Sequence, residues 1–205
     1  MGIYQDWVLP RLIALTMRQK QFGEMRARLV PAAEGRVLEV GMGSGLNLPF
    51  YGPGTTEIFG LEPSPALLRM AGERARRLAR PVRLLPASAE DIPLDAASID
   101  TVVTTWTLCS IPDAARALGE MRRVLRPGGR LLFIEHGRAP DAAVRAWQDR
   151  LTPLWRRCAG NCHLNRPIDR LIEGAGFRLD HLETGYRTRG PRLVSFLYEG
   201  SARPR

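Results

Sequence analysis

Between residues 36 and 45 the chain runs Arg-Val-Leu-Glu-Val-Gly-Met-Gly-Ser-Gly, a short apolar strand signal that breaks into alternating glycines. Glycines there let the backbone pass close to a ligand at the carboxyl edge of a sheet. A strand of this kind is followed by crossover helices, which commits the chain to a parallel, covered sheet. The rest of the sequence agrees. Strand signals at 56–61, 82–86, 99–106 and 130–135 alternate with helical stretches at 65–78, 113–124 and 141–158. Asp113 is placed to cap the second of these helices, and Arg126-Pro127-Gly128-Gly129 ends it. A short helix over 167–173 stops at Gly174 and Gly176. The last two strands, 177–184 and 193–198, are joined by a turn around Gly190-Pro191. No crossover fits between them, so they must be antiparallel. Ahead of all this, residues 3–29 carry apolar faces at helical spacing, with Pro10 starting or kinking the helix and Pro31 closing it. The expectation is one compact α/β domain: an N-terminal helical lid over 1–34 and a doubly wound, mostly parallel sheet domain over 35–205.

Which ligand the loop takes is decided by spacing. A dinucleotide fingerprint needs a small residue where this chain has Leu46, and a phosphate loop needs Gly-Lys-Ser/Thr, which is absent. Glu39 places an acid beside the loop, which disfavours a pyrophosphate and suits a ligand carrying an amino group and a sulfonium. The arrangement Glu39-x-Gly41-x-Gly43-x-Gly45 resembles the first motif of the class I S-adenosylmethionine-dependent methyltransferases. That resemblance implies a Rossmann-like methyltransferase sheet, an antiparallel last strand, and S-adenosyl-L-methionine as cofactor. It also implies roles for particular residues. Glu62 stands 17 residues past Gly45 (62 − 45), at the end of the second strand, and would accept hydrogen bonds from both ribose hydroxyls. Pro63 follows it. The segment Ala87–Pro93 resembles the adenine-binding segment, with Ala89 and either Ser88 or Glu90 against the base. Asn47 and Thr105 complete the expected cofactor contacts.

Acceptor-side candidates lie where the fourth and fifth strands end: Trp106 and Cys109 after one, His136 after the other. Leu108-Cys109-Ser110, Arg126–Gly129, Glu135-His136 and Cys162-His163-Leu164-Asn165-Arg166 are together similar to the alkyl thiol methyltransferases among the methyltransferase-like proteins. More loosely, they are similar to quinone-biosynthesis and phospholipid methyltransferases. The closer resemblance implies S-methylation of a small thiol, with His136 and His163 as catalytic candidates and Trp106 and Cys109 lining the acceptor pocket. Asn165 stands where those enzymes usually have Thr, and the hydrophobic N-terminal anchor they carry is not seen. Tyr4 and Trp7 are expected to fold over the cofactor, and Arg187 and Arg189 to receive an anionic substrate. The alternatives are a methyltransferase acting on a phospholipid or quinone at a membrane surface, and a non-catalytic S-adenosylmethionine-binding protein.

The formal net charge of +9 comes almost wholly from arginine, since Lys20 is the single lysine among 30 basic residues. No long basic run or aromatic interleaving accompanies it, so nucleic acid is not the expected partner. A peripheral membrane contact through the basic face of the N-terminal helix is the alternative that the charge leaves open. Three cysteines, with no secretory leader in view, suit a reducing cytoplasm. Cys158, Cys162 and His163 are one residue too widely spaced for haem attachment and lack a fourth zinc ligand, so no metal is expected.

Overall fold

A computed structural model describes residue 4 and residues 8–205. Helices α1 (Leu9–Thr16) and α2 (Lys20–Leu29) precede strand β1 (Gly35–Val40). Then follow β2 (Thr55–Leu61), α3 (Pro65–Ala75), β3 (Val82–Leu85), β4 (Ile99–Thr105), α4 (Ala114–Val124) and β5 (Leu125–His136). The chain finishes with α5 (Ala142–Cys158), α6 (Ile168–Gly174), β6 (Phe177–Tyr186), α7 (Arg192–Ser195) and β7 (Phe196–Pro204). The seven strands lie in the order β3-β2-β1-β4-β5-β7-β6. β1 to β5 are parallel, and β7 runs antiparallel to both its neighbours.

Period-2 alternation sends successive strand residues to opposite faces, and both faces are covered. Leu38, Phe59, Phe133 and Val102 meet Leu118, Met121 and Ile172 of α4 and α6 on one side. Val37, Ile58, Val103 and Ile134 meet Met25, Leu29 and Ala71 of α2 and α3 on the other. The strand order reverses between β1 and β4, so their carboxyl ends open a crevice there. The glycine loop ends at that crevice.

Three details differ from expectation. The N-terminal helix is two helices, broken at Met17–Gln19, where Gln19 takes an extended ψ of 144°. The buried Arg26 Nη1 donates to the Met17 carbonyl at 2.9 Å, holding the break and letting α2 turn onto the sheet while α1 lies beside α3. The last strand starts later and runs further than 193–198. Residues 192–195 form one helical turn, tied by the Ser195 hydroxyl donating to the Pro191 carbonyl, and the strand continues to Pro204. The strand's polar, glycine-containing end hides it, because its register is set by β5 and β6 rather than by hydropathy. A Cβ on Gly200 would sit 2.2 Å from the His181 carbonyl oxygen, so this close crossing requires glycine. Finally, β5 pairs with β4 on both sides of the Arg126–Gly129 turn, with a register irregularity between.

Asp113 caps α4 as its spacing predicts, its carboxylate accepting from the Arg116 amide at 3.0 Å. Asp113→Ala is expected to cost about 1 kcal/mol in urea unfolding; no change would mean the cap contributes nothing.

Candidate active site

The first wall of the crevice is the glycine loop. Gly45 has φ +77°, and a Cβ there would lie 2.9 Å from the Leu48 side chain and 3.2 Å from the α3 backbone at Ala71, so its smallness serves packing. Gly43 differs. Its φ is +56°, yet a Cβ would meet nothing nearer than 3.9 Å. Glycine at 43 therefore leaves open space at the loop surface. Gly41, at φ +68°, packs against Thr107.

Glu62 joins the loop to the end of β2. Its carboxylate accepts from the Gly43 amide and the Ser64 amide, each at 3.0 Å, and burial pushes its pKa upward. Two amide bonds leave further lone pairs on both oxygens for hydroxyl donors. A cavity of about 240 Å³ opens beside it, lined by Gly41, Glu62, Pro63, Ser88, Ala89 and Ile111 among others. It adjoins a groove of about 910 Å³ that shares Glu62, Pro63 and Gly160. The Ser88 hydroxyl donates to Glu90 at 2.5 Å. The other Glu90 oxygen accepts from the Asp113 amide at 2.7 Å, and these two donors lower its pKa. Ser88 thus faces the cavity, while Glu90 is engaged at the α4 cap.

Glu39 lies deeper. It is buried, accepts from the Tyr51 hydroxyl at 2.8 Å, and is pushed by burial to a pKa of about 7 against the pull of Tyr51 and Arg26. Arg26 reaches in from α2. Its Nε donates to Asn47 at 2.9 Å, its guanidinium stacks 5.0 Å from the Trp106 ring centre, and burial lowers its pKa to about 10. The Asn47 amide donates to the Thr105 hydroxyl at 3.1 Å. Glu39, Asn47 and Thr105 thus meet in one network with Arg26 and Tyr51. Neither of the last two was legible in the sequence: Arg26 is one arginine of many, and Tyr51 reads as a loop aromatic.

The acceptor side is framed by two buried charges. Glu135 turns inward, accepting from the Thr104 hydroxyl and from the Thr107 and Leu108 amides, and burial raises its pKa to about 7. Arg166 donates to the carbonyls of Leu108 and Pro112. Between them the loop after β4 is held at both ends, and Trp106 is forced to φ +52°. The Trp106 ring packs edge-on against Phe22 of α2, at 5.1 Å. Cys109, His136 and Cys162 converge here, their candidate ligand atoms all within 4.8 Å of one another. His163 bonds through its backbone amide to the Cys109 carbonyl at 2.7 Å. Burial first, then Arg166 and Arg156, lower the pKa of its imidazole to about 4 and hold it neutral.

Other expected residues are placed elsewhere. Tyr4 is exposed, and its hydroxyl donates to the Cys158 carbonyl at the end of α5 instead of covering the cavity. Trp7 lies outside the described residues. The Arg187 guanidinium is paired with Glu183 and Glu199, and the Arg189 backbone amide donates to the Gln21 side chain at 2.8 Å.

A methyltransferase-domain family model matches residues 38–133. The chain is 32% identical to the thiol S-methyltransferase TMT1B of Rattus norvegicus over 81% of this chain and 69% of that one. It is 34% identical to a demethylmenaquinone methyltransferase of Thermus thermophilus, over 67% of this chain and 66% of that one. This chain is a class I S-adenosylmethionine-dependent methyltransferase, on the branch of the thiol S-methyltransferases. The fold agrees: an S-adenosylmethionine-dependent methyltransferase of Thermotoga maritima superposes with a TM-score of 0.67 over 99% of this chain and 98% of that one, at 22% identity. Among the described residues of this methyltransferase, no helix is long and apolar enough to cross a membrane.

The crevice fits the cofactor on physical grounds. Open space over Gly43, acids at Glu62 and Glu39, and a cavity adjoining a larger groove match a ligand with a nucleoside, a sulfonium and an amino-acid tail.

Proposed function

We propose that this methyltransferase acts on the sulfur of a small, fairly apolar thiol. The observation that carries the proposal is the chemistry assembled at the carboxyl edge of β4 and β5. Sulfur and imidazole from Cys109, Cys162 and His136 gather there, while the neighbouring acid, Glu135, is spent on Thr104, Thr107 and Leu108. An amine or phenol acceptor is served by a base that can take its proton. A thiol, with a pKa near about 8.5, supplies some thiolate at neutral pH unaided. The name of the rat relative points the same way.

Bound S-adenosylmethionine supplies the methyl group and a sulfonium leaving group. The chain's own residues bind and orient. Glu62 holds the ribose, Ser88 and Ala89 border the adenine, and Glu39 with Asn47 and Thr105 faces the amino-acid end. α1 and α2 form the cover, with Trp106 and Phe22 as an apolar wall that keeps water from the transfer path. Gly43→Ala places a methyl where the cofactor passes. It is expected to weaken S-adenosylmethionine binding about tenfold while shifting the unfolding midpoint little, since an alanine in the left-handed region costs only about 1 kcal/mol. Unchanged affinity in calorimetry would remove Gly43 from the cofactor path.

Release of S-adenosylhomocysteine over matched thiol, amine and phenol acceptors tests the reaction. Thiol-dependent release is expected; release with amines or phenols alone would overturn it. A second reading has its own observation. Leu12, Leu15, Trp147 and Leu154 stand exposed on α1 and α5, with exposed Arg150 and Arg157 on α5, as on a surface that meets anionic lipid. Sedimentation with anionic vesicles at low salt, abolished at high salt, would favour a lipid-borne acceptor.

A further inference from the structure

Cys109 follows β4, His136 ends β5, and Cys162 lies beyond α5, so three separate segments deliver these side chains to one point. Their candidate ligand atoms lie within 4.8 Å of one another, and Cys162 Sγ is 3.9 Å from His136 Nδ1. Zinc–sulfur bonds of about 2.3 Å and zinc–nitrogen bonds of about 2.0 Å place tetrahedral ligand atoms roughly 3.5–3.8 Å apart. The cluster is therefore within about 1 Å of that spacing before any ion draws it in. Cys109 and His136 are buried, Cys162 is partly exposed, and His136 Nε2 has no hydrogen-bond partner.

We propose that Cys109, His136 and Cys162 bind one zinc-class divalent ion, leaving a fourth position open for the sulfur of the acceptor. Two thiolates and an imidazole select a soft or borderline cation over magnesium or calcium. Three protein ligands with an open position are the pattern of a catalytic zinc, whereas structural zinc is closed by four. The surroundings are built to hold such a site. Glu135 and Arg166 hold Leu108 before Cys109, Arg166 also holds the Pro112 carbonyl after it, and the His163 amide bonds the Cys162 segment to the Cys109 carbonyl. Ser110 and Gly160, close neighbours in sequence of the two cysteines, line the 240 Å³ cavity, so the ion would lie beside the cofactor's place. Reading Cys162 with Cys158 and His163 hid this set, since Cys158 is exposed.

The site stands on its geometry; its role rests on the thiol reading above. On binding the ion the acceptor thiol gives its proton to solvent. The bound sulfur then forms a bond to the methyl carbon as the carbon–sulfonium bond breaks, its electron pair staying on the departing sulfur. The products are a methyl thioether and S-adenosylhomocysteine. A neutral thioether is a poorer ligand than a thiolate, which releases the product.

The reduced protein, stripped of metal by a chelator, is titrated with Co²⁺ by absorbance and with Zn²⁺ in competition with a chromophoric chelator. One ion per chain is expected, with sulfur-to-cobalt charge-transfer absorption. Cys109→Ser and Cys162→Ser are each expected to weaken binding at least tenfold, the scale seen even for supporting residues around metal sites. Cys158→Ser should leave affinity unchanged. Calorimetric S-adenosylmethionine binding shows that each variant is folded. Adding a small alkyl thiol to the cobalt form should alter its visible bands. No binding at micromolar metal, binding indifferent to both serine variants, or a Cys109–Cys162 disulfide that forms in place of a metal site overturns the proposal. An unaltered cobalt spectrum with thiol overturns the open position. Thiol methylation by the metal-free protein defeats the ion's role in the reaction and leaves the thiol reading standing. A loaded cobalt site with no thiol turnover supports the site and defeats that reading.

Discussion

Replacing Arg26 by methionine is expected to destabilise the protein by about 3 kcal/mol at pH 8 and by far less at pH 5.5. Arg26 is the cation facing buried Glu39, and removing one member of a buried pair strands the other. Glu39 has a folded pKa of about 7, raised from 4.5 chiefly by burial. Between those values the folded protein holds a proton that the unfolded chain has lost, so this group's contribution to stability falls as pH rises through the window. At pH 5.5 Glu39 is mostly protonated and has little charge to strand. At pH 8 it must either ionise without its partner or bind a proton against the bulk. The second change, Glu39→Gln, should restore most of the loss at pH 8 and remove its pH dependence. Urea unfolding at the two pH values decides it: an equal loss at both would mean that Arg26 acts through Met17, Asn47 and Trp106 alone.

Glu62→Ala is expected to weaken S-adenosylmethionine binding about 10- to 100-fold, the scale of losing charged hydrogen bonds of about 1.5–3 kcal/mol. The carboxylate joins the loop to β2 through the Gly43 and Ser64 amides, so its removal also loosens the loop. Glu62→Gln separates the two effects. It keeps one carbonyl oxygen as an acceptor but replaces the other with a donor, and should fall between wild type and Glu62→Ala. Calorimetric titration measures both. An affinity within twofold of wild type for Glu62→Ala would mean the ribose is held elsewhere.

The parallel sheet, its glycine loop and the cofactor were legible because each is written in contiguous residues. A strand followed at once by Gly41, Gly43 and Gly45 has few backbone solutions, and Glu62 ends the next strand at a spacing set by the crossover. Asp113 as a helix cap was equally local, needing only an amide three residues on. The last strand was read short because β7 is inserted between β5 and β6, and its register past Tyr198 is set by pairing with both, which the polar sequence Glu199-Gly200-Ser201 does not show.

What the sequence determined by itself, then, is the order of strands and helices, the glycine loop and the acids beside it, since short-range periodicity and spacing encode them. The tertiary structure alone decided which side chains meet across the crevice. It joined Arg26 to Glu39 and Asn47, sent Tyr4 to the end of α5, and gathered Cys109, His136 and Cys162. Those contacts join residues from 13 to more than 150 positions apart (Arg26 to Glu39, 39 − 26 = 13). Burial and charge at such points depend on packing between elements, which local pattern does not carry.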